Sequence, residues 1–408
     1  MDEHAPVEDW ATDYDIFDPE YIEDPTPVWR DLRQRCPIAS TDRWQGSYLP
    51  TRYHDIQALA KMVPELSSRD PLVIAAPPWT DQDPEFPNYG TNAPPISSDP
   101  PEHTWIRRLL LPHFSPKVIE DYRPYTEDLC HRLIDRFIDT GRADGAVDYA
   151  QQIPPRLIAH LLGIDESRVD EFVEWVRGVL EIGLSQPEIR NKYRVIIRDF
   201  FKEQVADRRE NPADDLITAL VQAEHDGEPL SNATVVGICN LMLVAGIDTT
   251  WSSIGSALWH FASHPEDRRR LAADPDLFPT AIEEMLRAYA PVTMGREVLN
   301  EVTYNGVTME QGAKVLMNFP GANRDPEVFD RPDEVIIDRA RNRHIAFGSG
   351  IHRCLGSNLA RLEMEVSLKT WFDRIPEFEL DEGPVAWAGG QVRGPRILPI
   401  RFDAQRPR

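Results

Sequence analysis

Cysteine is scarce. The four in 408 residues (Cys36, Cys130, Cys239 and Cys354) lie far apart and form no close pair. That spacing excludes a disulfide framework and a clustered-cysteine metal site, and it fits a reducing cytoplasm. Positive charge is also short, with 44 Lys and Arg against 68 Asp and Glu and a formal net charge of −24. Such a balance favours solubility and argues against nucleic acid or an anionic membrane as a general partner, while saying nothing of fold. The most apolar long stretch, Thr234 to Ile247, runs straight into Asp248 and is expected to fall short of a membrane span. The opening residues, MDEHAPVEDWATDYDIFDPEYIEDP, lack the cationic start and apolar core of a signal peptide. No internal repeat, low-complexity tract or linker is evident, so one unit over residues 1–408 is expected, with 1–24 as an acidic N-terminal extension.

Proline, by contrast, is plentiful and punctuates the chain. Nine prolines fall between residues 71 and 101, which predicts a long loop. Short helices are expected at 25–36 and 102–111, and a strand with turns around Gly46 to Pro50. Helical patterns run over 117–163 and 166–208, the second broken around Gly183–Pro187. One long helix, roughly 50 Å at about 1.5 Å per residue, is expected over 231–263. Helices at 265–273 and 277–289, short strands over 295–319 and a hairpin at 384–403 around Gly389-Gly390 complete a mainly α chain with minor β.

Three local patterns carry chemistry. The run Phe347-Gly348-Ser349-Gly350-Ile351-His352-Arg353-Cys354-Leu355-Gly356 is a glycine-rich turn whose backbone can approach something flat and large. A helix from Ser357 places the Cys354 sulfur just before a helix N-terminus, where partial positive charge stabilises a thiolate. Midway along the long helix, Ala245-Gly246-Ile247-Asp248-Thr249-Thr250 puts a glycine, an acid and two β-branched alcohols where helix propensity disfavours them. A threonine hydroxyl there can divert a backbone hydrogen bond and open the helix. Thirdly, Glu284 and Arg287 stand three apart on one helix face, as do His103 and Arg107, four apart, on another.

The cysteine loop resembles the haem-ligand loop of the cytochrome P-450 monooxygenases, and the acid–alcohol pair is similar to the one that family carries on its long helix. The resemblance covers about residues 99–400. It implies a single cytochrome P-450-type fold with a long central helix and small antiparallel sheets. It implies haem b (iron protoporphyrin IX) with Cys354 as axial thiolate and metal ligand, and with Phe347 and Gly348 beside it. It also implies His103, Arg107, Arg296 and His352 as propionate partners, and Asp248 and Thr249 as catalytic residues that deliver protons during oxygen activation. Glu284, Arg287 and Arg339 are implied as a structural triad.

Family geometry points to a substrate pocket formed by the 71–98 loop, Val244, Ala245, Val292, Thr293, Met294, Gln391 and Val392. The break at Gly183–Pro187 would serve a lid. This lining is mainly apolar and predicts a small-to-medium hydrophobic substrate that is hydroxylated, dealkylated or epoxidised. No evident carboxylate-binding arginine lies in these stretches, although Arg393 is close enough to keep that option open. Nothing resembles a flavin or iron–sulfur domain, so the resemblance implies electrons from an external ferredoxin and its NAD(P)H-dependent reductase. Docking is expected at a basic patch of Arg108, Arg353 and Arg361. The implied protein is a monomeric cytoplasmic enzyme of bacterial type using O2. The alternatives are a peroxide-driven peroxygenase and a non-catalytic haem-based binding or sensor protein; the acid–alcohol pair argues against both.

Overall fold

The long helix expected at the centre is there. It runs without interruption from Asn232 to Ser263, 32 residues, and is capped by Ser231, whose hydroxyl accepts from the Thr234 N–H at 3.1 Å. The structure is a computed structural model that describes residues 5–75, 83–86 and 92–406. By length and composition this helix could cross a membrane, but 61% of its most apolar window is buried inside the protein. It is a core helix: Leu243, Ile247, Trp251, Ile254 and Phe261 are all buried, in one cluster with Leu157, Leu359 and Trp371 from other helices. Each such aliphatic side chain contributes about 1.5–3 kcal/mol on burial, which explains why so apolar a segment settles inside.

Around this axis the other helices form one side of the molecule. Arg123–Ile134 and Ser357–Arg374 pack together, and Ile153–Leu162 lies against the central helix. The expected break in the second helical pattern is sharper than the sequence reading placed it. Val169–Leu180, Ile182–Ser185 and Pro187–Glu210 are separate helices that turn at Glu181 (φ −118°, ψ −77°) and at Gln186. Gln186 precedes a proline, which disfavours helical backbone there. Within the 117–163 pattern the structure inserts a short strand, Arg142–Asp144, that helical periodicity concealed.

The strands lie mostly to the other side. A five-stranded sheet has the order Ile38–Thr41, Ser47–Pro50, Lys314–Asn318, Thr293–Val298, Leu66–Ser67. All its pairings are antiparallel except that of Ser47–Pro50 with Lys314–Asn318, two segments too distant in sequence to need a hairpin. The C-terminal hairpin forms between Ala386–Ala388 and Gly394–Ile397. The expectation that it extends to 403 is corrected: Pro399–Phe402 leaves it and pairs with Phe378–Leu380 and Arg142–Asp144. Among the N-terminal residues, Ala11, Tyr14, Ile16 and Tyr21 are buried against Trp29, Leu32 and Leu184. Of the 71–98 loop, residues 76–82 and 87–91 lie outside the described residues; the rest holds no helix or strand.

Candidate active site

The cysteine loop is a closed turn. The Cys354 N–H donates to the Phe347 carbonyl at 2.8 Å, and Gly348 and Gly350 both take φ +75°, a left-handed backbone that favours glycine. Gly356 differs: its φ is −80°, and a Cβ there would meet nothing, so its smallness leaves space instead of permitting a turn. Cys354 carries accessible surface, but that surface belongs to the wall of an internal cavity. Protein encloses the thiol closely enough that burial pushes its pKa up, against the Gly356 N–H and the cations Arg107, Arg353 and Arg361 that favour the thiolate. Without a metal, desolvation wins; a coordinated metal ion reverses that balance outright.

The cavity encloses about 2040 Å³ of atom-free space, roughly twice the upper end of ordinary small-molecule pockets. Cys354, Phe347 and Gly348 line one side. His103 and Arg107, from the helix Glu102–Leu110, line it together with His352 from the loop and Arg296 from the strand Thr293–Val298. The rings of His103 and His352 meet edge to face, 4.4 Å between centroids. Burial, then the neighbouring Arg296, His103 and Arg107, push the His352 pKa down to about 2. Burial likewise holds Arg296 low, to about 10, and its one hydrogen bond is to the adjacent Gly295 carbonyl at 2.7 Å. The Nε2 atoms of His103 and His352 are buried without a hydrogen-bond partner. Two guanidiniums and two imidazoles, crowded together at a cost, are complementary to a pair of carboxylates, as on the propionate edge of haem. The donor set therefore fits that cofactor.

Opposite the cysteine, the central helix brings Val244, Ala245 and Thr249 to the cavity. The Thr249 hydroxyl donates back to the Ala245 carbonyl at 2.9 Å, the diversion expected from the sequence. Asp248 is not part of the lining. It is fully buried and accepts from Arg396 Nη2 at 2.8 Å and from Ser252 Oγ at 3.2 Å, both on Oδ1, while its Oδ2 has no hydrogen bond. Burial pushes its carboxyl above the ordinary range, against the pull of Arg396.

Of the other pocket residues, Val292, Met294, Gln391 and Val392 line the cavity, whereas Thr293 does not. Strand alternation turns Thr293 to the other face, between Val292 and Met294. Arg393 is also turned away, bonding the backbone carbonyls of Ile22 and Glu23 at 2.9 and 2.6 Å. The cation that does line the distal wall is Arg194 of the helix Pro187–Glu210. Among the three docking arginines, Arg108 and Arg353 are exposed, but Arg361 is held bidentately by Glu283 at 2.6 and 2.9 Å and stacks on Phe347. It braces the loop.

Glu284, Arg287 and Arg339 meet as the sequence pattern suggested. Glu284 accepts from Arg287 Nε and Nη2, both at 2.8 Å, and from Arg339 Nε at 2.9 Å, with Glu284 and Arg287 wholly buried. Sequence reasoning missed Arg396 and Glu363. Glu363, on the helix after Cys354, is buried beside the cavity and its carboxyl is pushed well above the usual range by desolvation. Its only sequence signal was an acid on an otherwise buried helix face. Arg396 had none, because its partner lies 148 residues earlier.

Comparison with known proteins adds the following. A family model described as Cytochrome P450 matches residues 162–276 and 276–382. The mycinamicin IV hydroxylase/epoxidase of Micromonospora griseorubida is 33% identical over 364 residues, which cover 87% of this chain and 89% of that protein. The 6-deoxyerythronolide B hydroxylase of Saccharopolyspora erythraea is 33% identical over 389 residues, 92% and 95% of the two chains. Among solved structures, the bacillaene polyketide synthase cytochrome P450 PksS of Bacillus subtilis superposes with a TM-score of 0.85 at 30% identity, covering 96% of this chain and 100% of that one.

Proposed function

The chain belongs to the cytochrome P450 family and is a haem-thiolate monooxygenase, and from that premise we propose that Cys354 is its axial ligand and Thr249 and Asp248 its proton-delivery residues. The observation that carries this reading is the convergence on one cavity of the Cys354 sulfur, the Thr249 hydroxyl and four nitrogen-bearing side chains, two of them with buried, unpartnered Nε2 atoms. Haem bound there supplies oxygen activation, with the thiolate donating electron density that favours O–O cleavage. His103, Arg107, Arg296 and His352 hold its two carboxylates by charge-assisted hydrogen bonds. Phe347 and Gly348 form the flat wall beside the sulfur. Arg361 and Glu283 keep that wall in place.

On the opposite wall, Thr249 exchanges its bond to the Ala245 carbonyl for one to the reacting oxygen. Asp248, whose carboxyl is raised by burial, stores the proton it passes on. The apolar side chains of Val244, Ala245, Val292, Met294 and Val392 exclude water and orient the substrate. The size of the cavity, and relatives named for mycinamicin IV and 6-deoxyerythronolide B, favour a large hydrophobic substrate of polyketide type. Thr249→Ala tests the assignment. It is expected to keep haem and substrate-induced Soret shifts while product formed per NAD(P)H falls by at least about tenfold. Unchanged coupling would remove Thr249 from the mechanism.

Electrons are proposed to come from a ferredoxin and its reductase in the cytoplasm. The docking face comprises Arg108 and Arg353 beside the exposed apolar side chains Leu111 and Ile351, at 48% and 40% exposure, a basic rim with apolar anchors on an otherwise acidic protein. Arg108→Glu is expected to slow reduction by an acidic ferredoxin about tenfold at low salt, with the difference shrinking as ionic strength rises. Stopped-flow reduction under carbon monoxide measures this. Equal rates at low salt would move the docking site elsewhere.

A further inference from the structure

Asp248 lies in a chain of charges that extends to the surface. Arg396 donates from Nη2 to Asp248 at 2.8 Å, from Nη1 to Ser252 at 3.0 Å and from Nε to Glu181 at 2.9 Å. Glu181 in turn accepts from Arg177 at 2.9 and 3.2 Å. Exposure rises along this chain, from 0% for the Asp248 side chain through 10% for Arg396 to 23% for Glu181. The two ends differ in mobility. Asp248 and Ser252 are on the buried central helix, and Arg396 is on a strand pressed against it: a Cβ at Gly394 would stand 2.4 Å from that of Ser252. That tight seat fixes Arg396 relative to Asp248. Glu181, by contrast, is the corner residue where the helices Val169–Leu180 and Ile182–Ser185 turn over the cavity.

We propose that Arg396 is a positioning residue that divides its charge between Asp248 and Glu181. Seating of the Glu181 corner then loosens Asp248, and lifting of the corner gives the whole guanidinium to Asp248 and immobilises it. Proton delivery is thereby reserved for the closed cavity. The proposal rests on the reading of Asp248 as a proton donor. Beyond Arg396, the groups that bear on Asp248 are Ser252, Glu181 and Arg177, and the direction of the Glu181 influence is the required one, since its negative charge raises the Asp248 carboxyl.

The test uses the holoenzyme and the infrared band of the protonated Asp248 carboxyl, assigned by its loss in Asp248→Asn and followed against pH. Glu181→Gln removes the competing charge and is expected to lower the midpoint by about one unit, with coupling of NAD(P)H to product falling in parallel. Arg396→Gln is expected to raise the midpoint, and Arg396→Lys to fall between that variant and the parent. A midpoint that Glu181→Gln leaves unchanged or raises would overturn the proposal, even if Arg396→Gln fails to fold. Coupling that survives Asp248→Asn would overturn the underlying reading of Asp248 instead, while the midpoints would still decide whether Arg396 is shared.

Discussion

Cys354→Ser is expected to abolish monooxygenase turnover while leaving the fold in place. The side chain faces the cavity and supports no core packing, so the exchange of sulfur for oxygen removes little apolar contact. What it removes is the ligand. A serine hydroxyl stays protonated under conditions where a metal readily captures a thiolate, and it donates far less electron density. The four side chains that hold the carboxylate edge of the cofactor are unaltered, so haem uptake should persist at reduced affinity. The reduced carbon monoxide complex reports the difference directly. The strongly red-shifted thiolate-type Soret band of the parent should be replaced by one at shorter wavelength. Survival of the red-shifted band in Cys354→Ser would exclude Cys354 as the ligand.

The second large effect is expected at Glu284. Its carboxylate receives Arg287 on both oxygens, Arg339 at 2.9 Å, Asn342 at 3.1 Å and the Ile336 N–H at 2.8 Å. Burial alone would push the Glu284 pKa up; the bonds from Arg287 and Arg339 outweigh it and hold the group below its usual range. Arg287 also serves the carbonyls of Asn323, Pro332 and Glu334, between 2.7 and 2.9 Å, and so fastens the irregular segment that leads to the cysteine loop. Glu284→Ala leaves a buried guanidinium without its counter-charge and should cost about 3–5 kcal/mol. Denaturant unfolding of the holoenzyme measures it. Haem loss should accompany the transition, because the segment released carries Cys354. A loss under about 1 kcal/mol, the scale of an exposed pair, would show that the network is not doing this work.

Both residues were legible in the sequence because the chemistry they serve is local. A thiol flanked by spaced glycines and followed by a helix, and an acid and an arginine three apart, are patterns that backbone geometry converts directly into contact. The long central helix was legible for the same reason, from its unbroken apolar run. Strand alternation decided against Thr293, which a reading by stretches could not resolve, and the pairing of Arg361 with Glu283 depends on two helices whose packing no periodicity describes. Arg396 shows the limit most clearly. Its partners Asp248 and Glu181 lie 148 and 215 residues away, and nothing in the hairpin that holds it predicts an acid across from it. Likewise Arg194 looked like one of many cations on a charged helix until the fold turned it toward the cavity.

The pressing of the strand Gly394–Ile397 onto the central helix, and the pairing of Pro399–Phe402 with Arg142–Asp144, bear on how the protein is made. The most apolar segment of the chain leaves the ribosome long before the residues that cover it. Until about residue 400 has been synthesised, the helix Asn232–Ser263 lacks part of its shield, and the sulfur at 354 has no finished chamber to face. Cofactor capture must then follow synthesis, and the interval before it is the period in which a chaperone has an exposed apolar helix to grip.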